Sequence, residues 1–278
     1  MSSPIQQLEQ RIRNWADQEA AIRLVLVVGS QARDTDPPAD QWSDLDLVLF
    51  CTDFAPYLAD QSWLHQFGTL WVCVPEEGHD SELFAVYAGG HKADLYFMAL
   101  DDLPAFRYDR RYRVLIDKDE LADQLSPPQS APPRADPPAQ ESFEATVNAF
   151  WYQAMQMAKF IRRRDLWRVK AHDHLLKKHL LAMIEWHARA VQGPDLDMWY
   201  GGRFMREWVD PGTWAELHQT FGAFGAAESW RALQASMELF RRIATETADR
   251  LALVYPAQVE AHLSGWVRAM YEGDDAEG

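Results

Sequence analysis

The chain has 278 residues, of which 47% are hydrophobic and 12% aromatic, and a formal net charge of −15 at pH 7. That composition excludes a disordered polymer and is long enough for two modest domains, each with its own core. The charge excludes DNA and RNA as natural partners, since both are bound through basic patches, and it suits a cationic ligand instead.

No uninterrupted apolar run approaches the length of a membrane span, and the N-terminus lacks a basic-then-apolar signal. The expectation is a cytoplasmic protein with no membrane partner; the oligomeric state is open. Cys51 and Cys73 stand in apolar, strand-like surroundings without metal-ligand spacing, which reads as two reduced core residues.

In chain order, Leu8 through Ala21 has helical spacing and precedes a first strand at 23–28. Further strands follow at 45–50, 69–74, 83–88 and 92–98, with a helix around 55–66 and a short strand at Val114-Leu115-Ile116. This predicts a small mixed sheet with helices on one side. Asp34 to Gln41, with Pro37-Pro38, is a polar loop. Residues 126–140 are proline-rich and can continue neither a helix nor a central strand, so they read as a domain linker after a first domain of 1–125.

From Ser142 the period changes. Phe143, Val147, Phe150, Trp151 and Ala154 form an apolar stripe at three- and four-residue intervals. More helices are expected at about 171–191, 213–222, 228–254 and 256–271, punctuated by Gly193-Pro194, Pro211-Gly212 and Pro256. The fold class is therefore α+β: an N-terminal domain with a mixed sheet and flanking helices, then a C-terminal helical bundle over 141–271. Residues 272–278 read as a frayed acidic tail.

The chemistry concentrates in the first domain. Val25-Leu26-Val27-Val28 feeds Gly29-Ser30, and thirteen residues later comes Ser43-Asp44-Leu45-Asp46-Leu47-Val48-Leu49. Alternate side chains of a strand share a face, so Asp44 and Asp46 project together while Leu45, Leu47 and Leu49 face the core. Two converging carboxylates suit Mg²⁺, which takes oxygen ligands and leaves positions for water and phosphates. Glycine permits close backbone approach, and Ser30 can hydrogen-bond a phosphate oxygen. Gly89-Gly90 reads as a hairpin turn that places Asp94 within an apolar strand. A buried aspartate is costly unless paired or metal-bound, so Asp94 is a third ligand or a proton acceptor.

The pattern Gly29-Ser30, Asp44-x-Asp46 and Asp94 resembles the DNA polymerase β-type nucleotidyltransferases. The second half narrows the resemblance to the streptomycin-type aminoglycoside 6-adenylyltransferases. The residues that carry it are Asn148-Ala149-Phe150-Trp151, Ala158-Lys159 with Arg163, Lys170, Met183-Ile184-Glu185-Trp186, Trp214 to Phe221, Leu239-Phe240-Arg241 and Tyr255-Pro256. What it implies is Mg²⁺-dependent transfer of AMP from ATP to a hydroxyl of an aminoglycoside such as streptomycin, with release of pyrophosphate. Asp44, Asp46 and Asp94 would then be the metal and catalytic set in a nucleotidyltransferase domain, and Gly29 and Ser30 would hold phosphate.

Within the segments that resemble the family, Lys159, Arg163 and Lys170 are the second-domain candidates for the triphosphate. Glu185, among apolar neighbours, and Asp173 are candidates for an acceptor ammonium group. Each can equally be a solvated charge or half of a structural ion pair. Trp199 and Tyr200, beside Gly201-Gly202, can stack on a sugar or base. The chain departs from the family at Gln31, where an arginine is usual, and at Ala149, where an acidic residue is usual. Two alternatives follow: the same chemistry on a different small-molecule acceptor, or a catalytically degenerate nucleotide-binding regulator.

Overall fold

The computed structural model describes residues 2–33, 39–76, 79–108, 110–127, 135–198 and 200–275. The chain divides into two compact units, Met1–Ala131 and Pro132–Gly278. Part of the expected loop (34–38), part of the expected linker (128–134) and Trp199 lie outside the described residues, as does the side chain of Tyr200.

The first unit is built on six strands: β1 Ile22–Val28, β2 Leu45–Cys51, β3 Leu70–Glu76, β4 His79–Tyr87, β5 His91–Ala99 and β6 Arg113–Asp117. Their order across the sheet is β3-β4-β5-β2-β1-β6. Only β2 and β5 run parallel; every other neighbouring pair is antiparallel. The β4–β5 hairpin turns through Gly89 and Gly90, both at positive φ (90° and 78°), with the Gly90 N–H donating to the Tyr87 carbonyl at 2.9 Å. L side chains rarely adopt that conformation, which accounts for the glycine pair.

Alternation along the strands creates two faces. Leu45, Leu47, Leu49 and Cys51 of β2 pack with Val25 and Val27 against helix α1 (Pro4–Gln18), which offers Leu8, Ile12, Trp15 and Ala16 from one side. Helix α1 starts earlier than its apolar spacing predicts, because Ser3 and Gln6 form a reciprocal capping box. The opposite face carries Leu24, Leu26, Val28, Val48 and Phe50 beneath Leu103 and Leu125. That second face is covered by short 3₁₀ turns at Leu100–Ala105 and Leu121–Gln124, not by long helices. The helix expected around 55–66 is split into α2 (Ala55–Ala59) and a 3₁₀ turn, Ser62–Phe67. Asp60 causes the break: its carboxylate accepts from the Ser62 N–H at 2.9 Å and replaces a helical bond.

Among its described residues the second unit is built from helices: α3 Gln140–Arg162, α4 Leu166–Gln192, α5 Met205–Trp208, α6 Pro211–Gln219, α7 Ala226–Leu251 and α8 Ala257–Asp275. The predicted stripe of Phe143, Val147, Phe150, Trp151 and Ala154 is fully buried in one core cluster. Phe150 stacks on Phe240 of α7 with centroids 3.7 Å apart. Helix α8 continues through Glu272, Gly273 and Asp274, where a frayed tail is expected from composition. Asp274 explains the order: it is buried and accepts from Arg162 (3.1 Å), Arg164 (3.2 Å) and the Trp230 indole (2.7 Å). Cys51 and Cys73 are free thiols. Among the described residues, no helix is long and apolar enough to cross a membrane.

Candidate active site

The site grows from the parallel pair at the centre of the sheet. Register places Asp46 of β2 directly beside Asp94 of β5, and Val28, the last residue of β1, on the other side of Asp46. The turn that follows, Gly29–Ala32, therefore begins against the Asp46 carboxylate. Gly29 sits at φ +63°, and a Cβ there would stand 2.1 Å from Asp46 Oδ2, so both conformation and space require glycine. Its N–H donates to the Tyr108 hydroxyl at 3.1 Å, and Ser30 is buried in the same turn.

Asp44, one residue before β2, joins the group through Lys92. The Lys92 ammonium donates to Asp94 Oδ2 at 2.8 Å and to Asp44 Oδ2 at 3.4 Å, and lies 4.5 Å from the centre of the Phe84 ring. Burial opposes charge on Lys92, but its two carboxylate partners outweigh that and lift its pKa above the lysine value. Asp94 also moves up. Burial is the larger cause, Asp44 and Glu76 add to it, and Lys92 opposes without cancelling it. The remaining oxygen, Asp94 Oδ1, is buried and has no hydrogen-bond partner.

A cavity of about 490 Å³ opens here, lined by Val28, Gly29, Asp46, Asp94, Glu82, Tyr96, Phe106 and Tyr108. Glu82 comes from β4, opposite Tyr96 of β5. Burial, followed by the neighbouring Glu76 and Asp94, pushes its pKa up to about 7. Phe106 and Tyr108 form a stacked pair on the cavity wall, their planes 4° apart. Sequence reasoning missed Glu82, Lys92 and Tyr108 as site residues. Lys92 was accessible to it, since it lies two residues before Asp94 and so on the same strand face.

These residues fit a divalent cation by their chemistry. Asp46 and Asp94 stand side by side in register, Asp44 and Asp94 share Lys92, and one buried oxygen of Asp94 is unsatisfied, a donor set of hard oxygens that suits such an ion. Among the described residues, no three acidic, histidine or cysteine side chains already stand at ligand spacing. An internal ammonium lies between two of the carboxylates instead.

The helical unit disperses its candidates. Lys159 donates to Gln156 at 3.3 Å, and Lys170 to the Gly222 carbonyl at 2.8 Å. Arg163, the residue that ends α3, lies 5.9 Å from the Phe160 ring centre. Asp173 is paired with Lys177 at 2.7 Å on α4, and Lys177 also reaches Ser236 at 3.0 Å. Glu185 is half-buried; burial raises its pKa and Arg189 opposes. Asp173 and Glu185 lie roughly 18 Å apart along the α4 axis at 1.5 Å per residue, so the two do not form one pocket.

A Gly-Ser turn closing on a parallel strand pair with facing aspartates is the arrangement of a nucleotidyltransferase. The profile of the streptomycin adenylyltransferase family matches residues 4–270, and the chain belongs to that family. An aminoglycoside 6-adenylyltransferase of Campylobacter jejuni is 27% identical over 257 residues, covering 88% of each chain. One from Bacillus subtilis (strain 168) is 26% identical over 257 residues, covering 87% of this chain and 89% of its own. A solved aminoglycoside 6-adenyltransferase from Bacillus subtilis aligns with 98% of this chain and 99% of its own at 21% identity and a TM-score of 0.48.

Proposed function

We propose that the protein transfers AMP from Mg·ATP to a hydroxyl of an aminoglycoside, with streptomycin as the first candidate. The acceptor oxygen bonds to the α-phosphorus, the α–β phosphoanhydride bond breaks, pyrophosphate leaves, and the hydroxyl proton passes to a carboxylate. The observation that carries this reading is the register of Asp46 beside Asp94 with Gly29 packed on Asp46. Asp44, Asp46 and Asp94 would hold Mg²⁺, which when bound neutralises charge on the phosphate oxygens. Gly29 and Ser30, in a turn that is already formed, would orient the phosphates once the Gly29 N–H leaves the Tyr108 hydroxyl. Asp94 and Glu82, which line the cavity together with Asp46 and whose pKa values burial raises, are the carboxylates proposed to take the proton.

Family membership and the names of the relatives support an aminoglycoside acceptor, and the net charge of −15 favours a cationic one. The second reading keeps the chemistry and changes the acceptor, because Gln31 and Ala149 depart from the family pattern. Purified protein incubated with Mg²⁺, ATP and streptomycin, with other aminoglycosides in parallel, tests both. The expected result is pyrophosphate release together with a product heavier by one AMP. Pyrophosphate release with only another class of acceptor sinks the aminoglycoside assignment, and no release with any acceptor favours a degenerate regulator. Asp46→Asn is expected to cut turnover by roughly three orders of magnitude, the scale of several kcal/mol of charge stabilisation, with an unchanged circular dichroism spectrum.

A further inference from the structure

Lys92 stands where a cation is needed and has no assigned task. Its ammonium bridges Asp44 Oδ2 and Asp94 Oδ2 at 3.4 and 2.8 Å, rests over the Phe84 ring, and keeps 29% of its side chain exposed. It satisfies Asp94 incompletely, because Oδ1 of that carboxylate stays buried and unpartnered. A monovalent donor with one contact per carboxylate leaves that oxygen uncompensated, whereas a divalent cation offers more charge and more coordination positions to the same group. An ammonium and a divalent cation cannot share those oxygens without strong repulsion at a few ångströms. The lysine can leave without moving β5, since its charge rides on a flexible four-carbon stem with solvent access.

We propose that Lys92 is an exchangeable counter-cation. Its ammonium holds Asp44 and Asp94 together, and a divalent cation entering the site displaces it from both carboxylates. The proposal rests on the reading that Asp44, Asp46 and Asp94 bind a divalent cation. It adds that this chain carries its own competitor for the site, so metal affinity is set partly by a residue that is not a ligand. Released from the pair, the ammonium stays tethered two residues from Asp94, which gives an acidic chain a local positive charge beside the cavity.

Two measurements separate the proposal from the reading beneath it. Mn²⁺ binding is followed by calorimetry on the purified full chain in wild type, Lys92→Met, Lys92→Arg and Asp46→Asn. Without the competing ammonium, Lys92→Met is expected to bind Mn²⁺ roughly fivefold more tightly, the scale of one released ion pair. Lys92→Arg, which keeps the charge, is expected to stay within about twofold of wild type. Asp46→Asn is expected to lose binding. Equal or weaker binding by Lys92→Met, alongside loss in Asp46→Asn, overturns the exchange and leaves the metal reading standing; full binding by Asp46→Asn overturns the metal reading itself. The second measurement needs no variant to fold. In the wild-type chain, reductive methylation of Lys92, read by peptide mass spectrometry, is expected to accelerate several-fold at saturating Mg²⁺. An unchanged rate overturns the exchange.

Discussion

Glu82 binds its proton far more tightly than an ordinary glutamate, at about 7 against 4.5, because it is partly buried and faces Glu76 and Asp94. The linkage follows from that direction. As pH rises past 4.5 the unfolded chain gives up this proton while the folded chain keeps it to about 7, so the contribution of Glu82 to stability is fully present below 4.5 and is lost across the window. Glu82→Gln removes the titration. Urea midpoints of chelator-treated protein are expected to fall with pH over that interval in wild type and to fall less in the variant; parallel profiles would remove Glu82 as the cause. Gly29 gives a sharper test of the site's geometry. In Gly29→Ala, the Cβ meets Asp46 Oδ2, and the left-handed backbone alone costs roughly 1–2 kcal/mol. The fold is expected to survive by circular dichroism while adenylyl transfer is lost; retained turnover would mean that Asp46 is free to move. Gly29, Asp44 and Asp46 were legible because one short stretch carries both the turn and the alternation. Glu82 was not, because it enters only through the β4–β5 register, and Tyr108 reaches the Gly29 amide from seventy-nine residues away with no local signal.

At the scale of elements, the end of α8 is anchored by a single carboxylate. Asp274 is buried and pairs with Arg162 at the end of α3, with Arg164 just beyond it and with the indole of Trp230 on α7, so one side chain ties α3 and α7 to the end of α8. Asp274→Ala leaves Arg162 and the buried indole without that acceptor, and the expected cost is roughly 3 kcal/mol, the lower end for breaking a buried pair. Trp230→Phe removes that hydrogen bond and replaces the indole with a smaller phenyl ring, with an expected cost of about 2 kcal/mol from the lost bond and the lost buried volume together. Urea unfolding of the full chain measures both, and equal losses would mean that packing of the indole, not the carboxylate, holds the helix end. Composition cannot reveal this contact: Glu272-Gly273-Asp274-Asp275 reads as a solvated tail, and its partners lie 44 to 112 residues away. The strands and the long helices were legible because period two and period 3.6 are local. The start of α4 was not, since the chain reverses through Arg164 at φ 56°, a conformation that arginine does not advertise.

At the scale of the molecule, the chain keeps two sets of books for stability. Among the described residues, every member of the two clusters around the sheet lies in Met1–Ala131, and every member of the helical cluster lies in Pro132–Gly278. The candidate metal site belongs wholly to the first and the Asp274 anchor wholly to the second. Chains with separate cores depart from all-or-none unfolding, so a single unfolding free energy does not describe them. Differential scanning calorimetry is expected to resolve two transitions. Mn²⁺ at one hundred times its dissociation constant adds about 2.7 kcal/mol to whichever state binds it, which raises the midpoint of the sheet unit by roughly 8 °C. The same ion is expected to leave the other transition in place, while Asp274→Ala lowers that one alone. A double variant, Asp46→Asn with Asp274→Ala, then shows no Mn²⁺ shift and the full loss in the helical unit, because independent sites add. One transition that moves under both perturbations would instead make the two cores a single cooperative body, and the effect of Asp274 would then extend to the stability of the carboxylate site.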